Sequence, residues 1–226
     1  MQVFEYRVAL SKHTHMKKII LSLLSVAVLA TAANAQIAIA PELGLNMANV
    51  AFKPSASTSM KAGLGIGAIV DIGLTDNLFL QPGLFYEMTG CNFSGGSYNV
   101  NTIQIPVNIE YKLGEAGSGR FFFGVGPYLA DNIGGTIKVG SNSTSLKIGS
   151  DKANDDIKGM DFGIGLNFGY LLANGFYARA HYQMGMSNLQ PGGDANNSIK
   201  TSAIGVTVGY YFGHKSAKKS SGMKKK

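Results

Sequence analysis

Residues 159–186 read GMDFGIGLNFGYLLANGFYARAHYQMGM, and the polarity of this stretch alternates with a period of two. From Met160 to Tyr170 every second residue is apolar or aromatic, while the residues between them are small or polar. Residues 173–175 then supply a turn, because Asn and Gly tolerate positive φ angles. From Phe176 the alternation resumes. The stretch therefore predicts a long β-hairpin with one apolar face and one face of small, polar and charged residues.

The same alternation recurs through most of the chain and predicts eight strands. They cover residues 37–47, 61–74, 78–88, 101–113, 120 to about 131, the two arms of the opening hairpin, and 203–212. Long polar loops and tight turns alternate between them, and the longest loop, 132–158, is expected to hold a small β-excursion at 136–139 and 145–148. This layout is typical of transmembrane barrels. The predicted fold class is all-β, an eight-stranded antiparallel up-and-down transmembrane β-barrel.

The first 35 residues have the layout of a cleavable secretory signal. A basic start at Met16-Lys17-Lys18 is followed by an apolar segment and by a small-residue motif that ends at Ala35. We expect cleavage after Ala35 and a true start at Met16, because residues 1–15 carry no pattern. The barrel is then predicted over 36–213, and the Lys-rich tail 214–226 is predicted to be solvated and disordered.

Composition and charge exclude several functional classes. Between residues 36 and 213 there are ten Lys and Arg against twelve Asp and Glu, so the body is near neutral and its basic character comes from the ends. A near-neutral body offers no basic face to nucleic acid. Cys91 is the one cysteine of the chain, so neither a disulfide scaffold nor a metal cluster is expected. No cofactor and no metal ion is predicted.

The second face of the strands decides between a membrane barrel and a soluble, lipocalin-like barrel with an apolar interior. Glycine weakens a strand surface that faces water, whereas inside a narrow barrel it makes room for larger neighbours. We therefore predict that the apolar face contacts lipid and that the Gly-rich, charged face points inward. The predicted interior polar network comprises Glu42, Asp71, Glu87, Glu110, Lys112, Asp161, Arg179 and His181.

Aromatic residues near strand ends on the apolar face predict girdles at the lipid–water interfaces. Aromatic residues also form strands well in general, so only their placement supports a girdle. The predicted lipid-interface aromatics are Tyr86, Tyr111, Phe121, Tyr170, Phe176, Tyr210 and Phe212.

Several segments resemble small outer-membrane β-barrel proteins of Bacteroidetes, the group labelled PorT-like or porin-family outer membrane protein β-barrel domain. The resemblance covers residues 36–212 and implies an outer-membrane location. Barrels of this kind typically end on an aromatic residue that the assembly machinery recognises, whereas here Phe212 is followed by residues 213–226. The segments are ANA-Q at the signal end, GLGIGAIVDIGL, QPGLFYE, IQIPVNIEYKLG, GVGPYLA and DFGIGLNFGY.

The predicted function is that of an integral outer-membrane barrel, not an enzyme, with a structural or surface-interaction role through its external loops, chiefly 132–158. One alternative is a small pore or a component of a transport or secretion apparatus. Another is a membrane-embedded lipid-modifying hydrolase, in which His181 would act as base beside Arg179, Ser187 and Asp161.

The predicted surroundings follow from the barrel. An even number of strands returns both termini to the turn side, which would be the periplasm. The expected partners are outer-membrane lipid, the barrel-assembly machinery and an unidentified surface or periplasmic protein. The protein is expected to be a monomer that does not bind nucleic acid.

Overall fold

The computed structural model describes residues 37–212 apart from 55, 56 and 116, and within this part nine strands form. The predicted signal segment 1–35 and the tail 214–226 lie outside the described residues. None of the described residues belongs to a helix that is long and apolar enough to cross a membrane. The strands are β1 Ile37–Lys53, β2 Thr58–Gly73, β3 Leu78–Phe93, β4 Gly96–Leu113, β5 Arg120–Val139, β6 Asn142–Ser145, β7 Met160–Leu171, β8 Phe176–Gly185 and β9 Ser198–Tyr210.

Eight of these strands close into a barrel. The sheet order is β4-β3-β2-β1-β9-β8-β7-β5, and β4 pairs with β5 to complete the ring. The short strand β6 pairs with the far end of β5 and lies outside the ring. The registers recorded between wall strands are antiparallel. The prediction of an eight-stranded antiparallel up-and-down barrel is confirmed.

The opening hairpin forms as predicted, with its turn at residues 173–175. Leu171 lies opposite Tyr177, and the ladder between β7 and β8 continues to the pair Gly163 and Gly185. At the turn, the backbone N–H of Gly175 donates to the carbonyl of Leu172 at 3.0 Å, and Gly175 adopts a φ of 94°. An L-residue with a side chain rarely adopts this conformation, so glycine sets the turn.

Strand alternation sorts the side chains into an outer and an inner face, as the pattern predicts. Leu166 and Val206 on the outer face are 54% and 58% exposed, whereas the inner Glu110 and Arg179 are 0% and 5% exposed. Apolar side chains therefore cover the outside of the barrel and charged ones fill its inside. A soluble barrel with an apolar interior would show the opposite arrangement.

The predicted long loops at 48–60 and 89–100 are wrong in part, because most of these residues extend the strands. β1 runs on to Lys53 and β2 starts at Thr58, while β3 and β4 meet at a tight turn that contains Gly95 with a φ of 80°. The barrel strands are up to 20 residues long, whereas about 9–11 tilted residues cross a membrane. The surplus builds a β-structure beyond one end of the barrel.

The small β-excursion exists, but with different bounds from those predicted. β5 continues through 136–139 and turns at Gly140, whose φ is 58°, into β6 at Asn142–Ser145. This tight turn brings Asn142 opposite Val139 and Ser145 opposite Thr136. The second arm therefore lies three residues earlier than the predicted segment 145–148, of which Ile148 forms an isolated bridge with Ile157.

Candidate functional site

Charged side chains close the barrel interior near the end with short turns. We call this group the plug; it consists of Glu42, Asp71, Gln81, Glu110, Lys112, Tyr177, Arg179 and Tyr211, each nearly or fully buried. They come from five different strands and from the residue after β9, because each occupies an inward position of its segment. The plug therefore consists of two cations, Lys112 and Arg179, and of six polar or aromatic residues around them.

The two cations of the plug are shared among three carboxylates. Lys112 Nζ lies 2.5 Å from Asp71 Oδ2 and 3.6 Å from Glu110 Oε1. Arg179 lies 3.3 Å from Glu42 Oε1 and 3.4 Å from Glu110 Oε2. Glu110 therefore bridges both cations and joins the two halves of the plug into one network.

Gln81 ties the same network together as a neutral member. Its side-chain nitrogen lies 2.7 Å from Asp71 Oδ1, 2.8 Å from Glu110 Oε1 and 2.9 Å from Tyr211 Oη. Its side-chain oxygen accepts a hydrogen bond from Arg179 at 3.1 Å. The hydroxyl of Tyr177 donates a short hydrogen bond to Glu42. Gln81 thereby bonds Asp71 Oδ1, whereas Lys112 pairs with the other oxygen of that carboxylate.

Aromatic rings cover the cations of the plug. Lys112 Nζ lies 4.1 Å from the ring centroid of Phe79 and 4.5 Å from that of Tyr211. The guanidinium of Arg179 lies 5.5 Å from the Phe122 ring and 5.6 Å from the Tyr177 ring. Both cations therefore combine ion pairs with cation–π contacts, and both side chains are almost fully buried.

Between the plug and the opposite end, the barrel holds small polar cavities that we call the chamber. One cavity of ≈ 50 Å³ contacts Glu87, Asn167 and His181, and a second of ≈ 30 Å³ contacts Glu87 and Asp161. Glu87 and Tyr128 contribute to both walls, so the two cavities adjoin. Cavities of this size hold one or a few water molecules, not a solute.

The predicted interior residues thus lie in two places. Glu42, Asp71, Glu110, Lys112 and Arg179 meet in the plug. Glu87, Asp161 and His181 line the chamber, and Glu42 and Arg179 of the plug also border its larger cavity.

The chamber does not assemble the set of residues that a hydrolase would need. His181 Nδ1 lies 3.4 Å from the hydroxyl of Thr207. Asp161 accepts a hydrogen bond from Thr201, while Ser187 bonds the backbone of Phe162. Ser187 also lies within hydrogen-bond reach of Asp161, but among the described residues no hydrogen bond joins His181 to either group. A nucleophile, its base and an orienting group must contact one another.

Six of the seven predicted interface aromatics lie at the short-turn end of the barrel. Tyr111, Phe121, Tyr170, Phe176 and Tyr210 each stand within two residues of that end of their strand, and Phe212 follows β9. Neighbouring rings contact one another, as in the pairs Phe121–Tyr170 and Phe176–Tyr210, both with centroids 4.7 Å apart. Tyr86 lies eight residues along β3, away from this group.

The strand extensions and connections at the other end pack around a hydrophobic core of their own, and we call this unit the cap. Cys91 is 0% exposed in this core, and Ile157 and Leu189 are each 1% exposed. Its buried residues come from β1, β3, β4, β9 and the connections: Val50, Cys91, Tyr98, Val100, Leu146, Ile157, Leu189 and Ile199. The cap covers the mouth of the barrel opposite the plug.

Polar turns stabilise the connections of the cap. The side chain of Asn154 and the backbone N–H of Ala153 donate to Asp151, and these hydrogen bonds hold the pKa of Asp151 below its ordinary value. The backbone N–H groups of Asn197 and Asn196 lower the pKa of Asp194 in the same way. Both carboxylates act as turn acceptors in segments outside the barrel wall.

Sequence reasoning missed Gln81, Tyr177 and Tyr211 as members of the plug. Gln81 and Tyr177 fall on inward positions of predicted strands, and Tyr211 on the inward face after Tyr210, so the alternation alone could have found them. The cap was missed for another reason, since its core forms between segments that are far apart in the chain.

Comparison with known proteins gives one family and a set of structural relatives. A family model described as "Outer membrane protein beta-barrel domain" matches residues 31–190. No curated protein matches the chain.

Among solved structures, the chain is similar to Neisserial surface protein A, NspA, with 13% sequence identity, a TM-score of 0.44, and coverage of 78% of this chain and 97% of that one. It is similar to Ail of Yersinia pestis in complex with the heparin analogue sucrose octasulfate, with 10% identity, a TM-score of 0.43 and coverage of 79% and 99%. It is also similar to the outer membrane enzyme PagL, with 14% identity, a TM-score of 0.43 and coverage of 74% and 97%.

Proposed function

The chain belongs to the outer membrane protein β-barrel domain family, and on that premise we propose that its barrel anchors a folded cap at the cell surface, where the cap contacts a partner. One observation carries the proposal. The residues beyond the barrel wall form a packed unit with its own hydrophobic core. A barrel whose role was confined to the membrane would need no more than short connections at either end, like those at the plug end of this barrel.

The orientation of the barrel is part of the proposal. The backbone of Phe212 pairs with that of Ile39, so both ends of the described chain lie at the end with short turns. Short turns face the periplasm and longer connections face outward in outer-membrane barrels. We therefore place both termini in the periplasm and the cap outside the cell.

The β5–β6 hairpin is the part of the cap that we assign to partner contact. All four residues of β6 are exposed, and Ile133 and Val139 on β5 are 53% and 55% exposed. β6 pairs with β5 through 136–139 and ends the strand order of the sheet, so one edge of the hairpin is free to contact another chain. We expect the partner to be a surface protein.

The assignments of subfamily, oligomeric state, partners and activity are proposals as well. We propose that the protein is a PorT-like barrel of the Bacteroidetes type, supported by the glycine alternation of β2 and by the segment QPGLFYE of β3. We propose that it acts as a monomer, contacts outer-membrane lipid through its apolar wall and is inserted by the barrel-assembly machinery. We also propose that it is not an enzyme, because His181 lies beside Thr207 and, within the described residues, no hydrogen bond joins it to Asp161 or Ser187.

Photo-crosslinking on intact cells tests the proposed role of the cap. A photo-reactive residue would replace Ser141, at the tip of the β5–β6 hairpin, in cells that natively produce the protein. We expect a discrete crosslinked adduct from position 141. A separate shortened variant, in which a two-residue turn replaces residues 136–145, removes the hairpin altogether. The matched control carries the same photo-reactive residue at Asn174, in a short turn at the other end of the barrel.

The shortened variant also separates a surface role from a purely structural one. It should still be heat-modifiable on a gel, because the barrel wall is unchanged. Outer-membrane leakiness towards a dye should equal that of the natural protein. If leakiness rises to the level of a deletion strain while no adduct forms at position 141, the role is structural and the proposed partner contact is wrong.

A further inference from the structure

The methionines among the described residues all lie towards the cap end of their strands, and none of them is buried. Their exposed fractions range from 42% to 53%. Methionine commonly fills gaps in hydrophobic cores, yet the cap core contains none. The six methionines of the described part are Met47, Met60, Met88, Met160, Met184 and Met186.

Five of these methionines end the rows of apolar side chains on the outer face of the barrel. On β1 and β3 no large apolar residue follows Met47 or Met88 at an outward position towards the cap, and Met160 is the first residue of β7. Met184 and Met186 occupy the last outward positions at the cap end of β8 and just beyond it. We call these five residues the rim, because they mark the cap-side boundary of the apolar wall.

The rim lies at the height expected for the second lipid–water interface. On β7, ten residues separate Tyr170, one of the interface aromatics at the plug end, from Met160. A strand rises about 3.3 Å per residue, and a tilt of about 40° converts this length into a height of about 25 Å. The apolar band of outer-membrane barrels is also about 25 Å tall. The thioether side chains of the rim therefore reach the level where lipid headgroups meet water.

We propose that the rim is a site of reversible oxidation by hydroperoxides, which convert its methionines to methionine sulfoxide while the barrel stays folded. The sulfur attacks one peroxide oxygen, so that an S–O bond forms as the O–O bond breaks. The thioether loses two electrons, and the other oxygen keeps the electron pair, takes the hydroxyl proton and leaves as water or an alcohol. At headgroup level the new polar oxygen can be hydrated, whereas in a core it would disrupt packing. Methionine sulfoxide reductases reverse such a modification.

Peroxide treatment of the protein in lipid vesicles tests the site. The full chain, isolated from outer membranes and reconstituted, would be exposed to hydrogen peroxide, and mass spectrometry of its peptides would report oxygen added at each methionine. Met60 is the reference, because it lies opposite Cys91 in the cap part of β2. We expect Met160 to react within about tenfold of the rate of Met60, since oxidation follows exposure. The fully oxidised protein should stay heat-modifiable, and methionine sulfoxide reductases A and B should remove the oxygen.

Leu166→Met is the matched control, because it adds a thioether on the same face of β7 in the middle of the wall. Leu166 and Met160 are 54% and 51% exposed in the protein alone, so their cover by lipid is what differs. We expect the added thioether to react at least about tenfold more slowly than Met160. Equal rates at the two positions, or a rim that stays unoxidised while Met60 reacts, would overturn the proposal, as would loss of heat-modifiability on oxidation. None of these results depends on what the cap contacts.

Discussion

At the scale of single residues, the barrel interior depends on the pairing of glycine with large inward side chains. Gly169 on β7 faces the Phe122 ring, and Gly209 on β9 faces the Tyr177 ring, so closely that a methyl group at either glycine would overlap the ring. Gly165 on the same strand as Gly169 has open space, with its nearest neighbours 3.8 Å or more away from the position of a methyl group. Glycine is therefore required at some inward positions and only tolerated at others.

This difference predicts unequal effects of two identical substitutions on β7. We expect Gly169→Ala to lower the free energy of unfolding by about 1–3 kcal/mol, because the Phe122 ring must move in a filled interior. Gly165→Ala should change it by less than about 0.5 kcal/mol. Urea unfolding of the two variants in lipid vesicles measures both values, and equal losses would contradict the packing described for this strand.

A second residue-scale prediction concerns the plug. Arg179→Ala leaves the buried carboxylates of Glu42 and Glu110 without their shared cation, and removal of one partner from a buried ion pair costs about 3–5 kcal/mol. Lys138→Ala removes an exposed cation from β5 and should cost less than about 1 kcal/mol. The same urea titration compares them. A loss for Arg179→Ala no larger than that for Lys138→Ala would show that the network does not stabilise the barrel.

At the scale of elements, single strands change their environment part-way along. On β4, the outer positions Ile105 and Ile109 are apolar and the inner positions Gln104 and Glu110 are polar. In residues 96–100 the polarity is reversed: the inner positions Tyr98 and Val100 are apolar and belong to the cap core. In the proposed membrane setting, lipid would surround the residues after 101 and water those before it. The apolar side of β4 would then face lipid in one part and the cap core in the other.

This inversion predicts that the cap can be loosened without opening the barrel. Ile157→Ala truncates a side chain that is 1% exposed in the cap core, and we expect a local loss of about 2–5 kcal/mol. Proteases should then cut the connection 146–158 faster, while the protein stays heat-modifiable. Val139→Ala, at a position that is 55% exposed, serves as control and should leave the cutting rate unchanged. Loss of heat-modifiability in Ile157→Ala would mean that cap and wall fold as one unit.

The inversion also explains how far the sequence could predict the structure. Strand number, pairing and inward direction follow from the alternation of segments such as 61–74 and 160–170, where lipid and barrel interior impose opposite polarity. Residues 48–53 and 96–100 carry no lipid-facing apolar side, so they resemble polar loops although they continue β1 and β4. Plug contacts such as that between Gln81 and Tyr211 depend on which strands face each other across the barrel, which alternation within one strand does not specify.

At the scale of the whole molecule, the barrel is closed at both ends. The plug fills one end with ion pairs and aromatic rings, and the cap core covers the other, while the chamber cavities between them measure ≈ 50 and ≈ 30 Å³. We expect no solute flux in a liposome-swelling assay with sugars, because an eight-stranded barrel is just wide enough for its own side chains. Swelling above that of protein-free liposomes would instead favour a pore or a transport component.

The orientation of the cap is the central claim, and labelling of single cysteines on intact cells tests it most directly. Ser141→Cys lies at the hairpin tip and Asn174→Cys in a short turn at the opposite end, while the natural Cys91 is fully buried and should stay unlabelled. A membrane-impermeant maleimide should label position 141 on intact cells and position 174 only after the outer membrane is permeabilised. Labelling of position 174 but not 141 on intact cells would place the cap in the periplasm and contradict a surface role.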